Sequence, residues 1–166
     1  MSEALTPPFL VACLVLCIAG VSKLRAPRTA AAALGLRTWT VRLLAAGELA
    51  LGAVCALHPT RAGALALAAV YSLFAIVAVV LMRRRLACGC FGDDDLPVSR
   101  AHVIASELLA AMAAAAAFAT PHGLGWLASQ GGLQGVTLVV AVAGASYAMV
   151  LVYTAVPRAW AAWSGQ

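Results

Sequence analysis

Charge is what this sequence has least of. Lys, Arg, Asp and Glu make up 10% of its 166 residues, and only six of those are acidic. A water-soluble domain carries about 25% charged residues, so a soluble globular chain is excluded. Alternating ten-residue segments separated by turn signals are also missing, which argues against a transmembrane β-barrel. No internal repeat is evident. The formal net charge of +5 does not form a basic patch, because the cations flank apolar runs; no nucleic-acid partner is expected. The first apolar stretch has neither a basic leading region nor a small-residue cleavage site, so it is expected to be a retained helix and not a signal peptide.

Apolar runs dominate instead. The chain is 64% hydrophobic, and its heavy use of alanine suits close helix packing in lipid. Five stretches, 7–22, 40–57, 63–82, 101–119 and 133–156, approach the roughly 17–25 residues that a spanning helix needs. The expectation is an all-α membrane protein. It would be a compact bundle of four to five transmembrane helices, a single domain over 1–166, with the lipid bilayer as its first partner.

Basic residues orient such a bundle, since they collect on the cytoplasmic side. Lys23, Arg25, Arg28, Arg37 and Arg42 lie around the first connection, Arg83, Arg84, Arg85 and Arg100 around the third, and Arg158 after the fifth span. Only Arg61 falls on the other side. The N-terminus is therefore expected outside and the C-terminus in the cytoplasm, in a bacterial-type inner membrane crossed several times. The segment "TPHGLGWLASQGG" at 120–132 reads as an outer interfacial piece holding Trp126 at headgroup depth. Trp160 and Trp163 would lie at the inner interface.

The most chemical stretch is "RRRLACGCFGDDD" at 83–95, placed on the cytoplasmic side by its arginines. Cys88 and Cys90 stand one residue apart. Two such thiols can close a strained disulfide or clamp a thiophilic ion such as Cu(I) or Hg(II), and Gly89 permits the backbone either role demands. A glycine-rich turn that happens to contain sulfur is the third possibility. The arginines favour a thiolate there, and the three aspartates oppose it. Cys13 and Cys17, four residues apart, share one face of the first helix. They suit either core packing or a second soft-metal pair, while Cys55 suits packing.

Glu48 and Glu107 lie inside expected spans, where an ionisable group suggests function by default. Helix rise places both roughly 9–12 Å from the cytoplasmic ends, and Cys17 roughly 9 Å deep. Each Glu could instead pair with Lys23 or Arg42 as a packing element. His102 and Arg100 open the fourth span, where Ser99 is a suitable cap. His102 could accept a proton, ligate a metal, or face the headgroups.

"AGVSKLRAP" at 19–27, the in-membrane Glu of "GELALG" at 47–52 and "CGCFG" at 88–92 resemble the MauE family of methylamine-utilisation membrane proteins, itself similar to DoxX-like four- to five-helix bundles. The resemblance covers the first four spans. It implies thiol–disulfide handling with a thioredoxin-like partner during maturation of a disulfide-rich periplasmic amine dehydrogenase. On that analogy Cys88 and Cys90 are the redox pair, and Lys23 and Glu48 are matched positions of unassigned role. The sequence departs in the fourth span, where Ser106-Glu107 stands in place of the family's Arg-Asn. Three functional expectations follow: a membrane thiol–disulfide redox protein with a quinone or thioredoxin exchanging electrons; a Cu(I)/Hg(II) carrier using Cys13, Cys17, Cys88 and Cys90; and a non-catalytic assembly factor.

Overall fold

The computed structural model describes residues 2–84, 86, 98–119 and 121–164. Among the described residues there are seven helices and no strand: α1 (Ser2–Arg25), α2 (Pro27–Leu34), α3 (Thr38–Leu57), α4 (Arg61–Arg84), α5 (Arg100–Ala119), α6 (Leu124–Ser129) and α7 (Gly132–Ser164). Five of them, α1, α3, α4, α5 and α7, are long and apolar enough to cross a membrane. Each contains one expected stretch. The helices overrun several of those stretches because polar and charged residues at a span's ends keep helical geometry. Thus α1 begins before Pro7 and Pro8, whose missing N–H groups would have bonded only carbonyls of the first turn. Likewise, α7 continues through Pro157.

The short helix α2 was not among the expected elements, being too brief to register as a span. Its local signals are nonetheless clear. Pro27 occupies the first turn, four alanines follow, and Gly35 ends the helix in the left-handed region at φ 65°. The Gly35 N–H donates to the Ala32 carbonyl and the Leu36 N–H to the Ala31 carbonyl, the paired bonds of a glycine-terminated helix.

The helix α1 is the axis of the bundle. It packs against α3, α5 and α7, while α4 packs mainly against α5. Phe9, Leu10, Cys13 and Leu16 of α1 are buried with Leu67 and Tyr71 of α4 and Leu109 and Ala113 of α5. Exposed side chains such as Leu43, Leu65, Ile76, Phe118 and Val140 are apolar, as a lipid-facing surface requires.

Two glycines set how closely α1 and α3 approach. A methyl at Gly20 would lie 2.8 Å from the Ala45 carbonyl oxygen and 3.1 Å from the Leu49 nitrogen. At Gly52 it would lie 2.7 Å from both the Cys13 carbonyl oxygen and the Cys17 sulfur. Cα surfaces without a side chain let helix backbones meet in lipid.

Hydrogen bonds tie the two ends of the bundle. At one end the His122 N–H donates to the Thr6 hydroxyl, and His122 stacks on Trp126 at 5.6 Å, so α6 is packed against the core and not only placed at an interface. At the other end lie the last turns of α1 and α4 and the first turns of α3 and α5, carrying Lys23, Arg25, Arg37, Arg42, Arg83, Arg84 and Arg100. Here the Val98 N–H donates to the Leu86 carbonyl at 3.1 Å.

Candidate functional site

Lys23 sits in the last turn of α1. A lysine so close to a helix end ordinarily extends toward the interface and keeps its ammonium wet. Here it turns inward. Its Nζ donates to both carboxylate oxygens of Glu48, at 2.6 and 2.7 Å, with side-chain exposures of 5% and 10%. The Nζ also lies 4.6 Å from the centre of the Phe74 ring, within cation–π range. Three helices thus contribute one group each: α1 the cation, α3 the anion and α4 the ring. Glu48 is six residues beyond Arg42, roughly 9 Å further along α3. The two residues that the family resemblance had matched separately form one bidentate ion pair.

Beside this pair, α3 and α4 diverge around an apolar groove of about 600 Å³. Leu44, Gly47 and Leu51 line one wall, Leu73 and Phe74 the other, and Leu36 closes the end below α2. Lys23 and Glu48 are also in the lining. Leu34 and Val77 line the groove as well, and both pack on a small buried cluster of Ala78, Leu81 and Val98. The groove and the root of the segment between α4 and α5 therefore share side chains.

Cys88 and Cys90 lie outside the described residues. What is described is the base of their segment, where the Val98–Leu86 backbone bond draws its two ends together and Val98 is buried. Arg100 is exposed at the start of α5.

Glu107 and Glu48 belong to different environments. Glu107 is exposed on α5, while its neighbour Ser106 is buried. The Ser106 hydroxyl lies 2.9 Å from the Tyr153 hydroxyl of α7. One turn earlier, His102 is buried, with its ring edge against Tyr153 at 5.6 Å. The Ser99 N–H donates to His102 Nδ1 at 3.3 Å, and the Ser99 hydroxyl is 3.2 Å from the same atom. An Nδ1 that accepts a backbone bond places the proton of a neutral ring on Nε2. His102 thus faces the interior and not the headgroups, and Ser99 acts as a cap through its own backbone N–H.

The remaining thiols lie within α1 and α3. Cys17 directs its sulfur to the Leu49 carbonyl at 3.8 Å, immediately beside Glu48 in sequence. Cys13 and Cys55 are buried, and all three are free thiols. Among the described residues no group of three or more His, Cys, Asp or Glu side chains is arranged to hold a metal ion.

Phe74, Tyr153 and α2 entered the site without being singled out in the sequence. Phe74 and Tyr153 are single aromatics within apolar runs, where nothing in the spacing distinguishes a ring over a cation from ordinary core. The signals for α2, Pro27 and Gly35, were legible but pointed to no chemistry.

The family model described as methylamine utilisation protein MauE matches residues 4–121. That range takes in α1 through α5, including Lys23, Glu48 and the Cys88–Cys90 segment, and leaves α7 outside. No curated protein matches the chain, and no solved structure does.

Proposed function

From the premise that the chain belongs to the MauE family, we propose that this multi-pass membrane protein is a thiol–disulfide redox protein acting through Cys88 and Cys90. One thiolate attacks a disulfide of a thioredoxin-like or maturation partner, forming a mixed disulfide and releasing one partner thiolate. The second cysteine then displaces the other, so that Cys88–Cys90 becomes the disulfide and the partner gains two electrons. Run in reverse, the same steps oxidise the partner. The observation that carries this reading is that the Cys-Gly-Cys element falls within the matched range. A root closed by the Val98–Leu86 bond and anchored by buried Val98 supports it, because both ends of the segment rest on the bundle.

The test is a redox titration of the purified full chain in detergent against thiol buffers, with the Cys88–Cys90 state read by alkylation and mass. A single two-electron midpoint is expected, lost in Cys88→Ser/Cys90→Ser. Stoichiometric Cu(I) or Hg(II) binding without a midpoint overturns the redox reading in favour of a soft-metal carrier.

A further inference from the structure

We propose that the groove between α3 and α4 is a binding site for the head of a lipid-soluble quinone, held by Lys23 and Glu48. The argument begins with what the pair leaves unused. An ammonium has three N–H donors, and two go to the Glu48 carboxylate. No described residue accepts the third in a hydrogen bond. The carboxylate oxygens keep further lone pairs. A fixed donor and a fixed acceptor therefore stand side by side in the lining of an otherwise apolar groove.

That combination selects a ligand. The pair is neutral overall, so a free carboxylate or a phosphate gains from Lys23 what it loses to Glu48. A zwitterionic phospholipid headgroup must also leave its water to reach a pair roughly 9 Å beyond Arg42 along α3. A neutral carbonyl suffers neither cost. A quinone carbonyl accepts from Lys23, and the hydroxyl of the corresponding quinol donates to Glu48, so one site serves both oxidation states. A flat ring has Phe74 and the leucines of both walls for contact, and its apolar tail can run along the exposed side of α3 and α4. A volume of about 600 Å³ lies within the range of small-ligand sites, roughly 300–1,000 Å³. The second, independent observation is location: Leu34 and Val77 belong both to this groove and to the packing around Val98.

The test uses the full chain in nanodiscs and a photoreactive azidoquinone with a short prenyl tail. Label is expected on the segments 40–51 and 70–77, with at least a tenfold loss when decylubiquinone is in excess and none when oleate is. Gly47 lines the groove and has open space where a side chain would begin, so Gly47→Trp should fill the site and lower affinity tenfold or more with an unchanged melting temperature. If that variant fails to fold, Leu73→Trp, at an exposed position on the opposite wall, makes the same test. The neutral double variant Lys23→Met/Glu48→Gln should weaken binding about tenfold, whereas Leu133→Trp on α7 should not. Equal competition by oleate shows a lipid filler only and overturns the proposal, as does label elsewhere or unchanged affinity in both groove-filling variants. Binding requires no thiol chemistry. Unchanged affinity in Cys88→Ser/Cys90→Ser supports the groove as the site, and lost affinity there places the ligand elsewhere.

Discussion

At the scale of the residue, the decisive feature is a lysine pointing the wrong way for a membrane protein. An isolated ammonium or carboxylate in hydrocarbon is costly, and the Lys23–Glu48 pair persists because each group satisfies the other at 2.6 and 2.7 Å. Removing one partner leaves an uncompensated charge. Lys23→Met or Glu48→Gln alone is expected to cost about 3 kcal/mol of stability, and the double variant appreciably less than the sum of the two. Denaturation of the three variants in mixed micelles measures this; additive single effects would show that the pair is not coupled. Ser106 and Glu107 make the complementary point. Adjacent in sequence, they are separated by the helix into a buried hydroxyl bonded to Tyr153 and an exposed carboxylate.

At the scale of the element, the contact between α1 and α3 is set by Gly20 and Gly52, because the atoms opposite them are mainly backbone and cannot swing aside. Gly20→Ala and Gly52→Ala are expected to force the helices apart and destabilise the protein by about 1–3 kcal/mol each. The same change at Gly47, where nothing lies within 4 Å, should be neutral or slightly stabilising, since alanine is the better helix former. Melting temperatures of the three proteins make the comparison, and a Gly20→Ala protein as stable as the parent would refute this account of the contact. Packing at Gly20 also bears on the site: it lies one turn before Lys23, so α1 and α3 are held close where the ion pair forms.

At the scale of the whole molecule, five helices are long and apolar enough to cross a membrane, an odd number that is expected to put the two ends of the chain on opposite sides of a bilayer. The basic residues at the ends of α1 and α4 and the starts of α3 and α5 lie together at one end of the bundle. By the positive-inside rule that end is expected to be cytoplasmic, and with it the segment carrying Cys88 and Cys90. A membrane-impermeant maleimide applied to intact cells should leave both cysteines unmodified until the membrane is permeabilised. Rapid labelling from outside would invert the topology and place the pair in a compartment where thiols are not kept reduced.

The number, order and approximate extent of the spanning helices were determined by the sequence alone. Hydrocarbon admits no unpaired backbone group, so an apolar run of sufficient length has few alternatives to a helix. Family membership was legible too, carried by the short motifs at 19–27, 47–52 and 88–92. What only the tertiary structure decided is which in-membrane charge faces which partner. Glu48 and Glu107 have the same local signature, an acid within an apolar helix, and rotation about the helix axis is invisible when most positions on every face are apolar. Lys23 meets Glu48 across 25 residues of sequence, and Phe74 completes the site from a third helix. Such a meeting depends on how α1, α3 and α4 pack, and that is set by glycine contacts and side-chain volumes spread over the whole bundle.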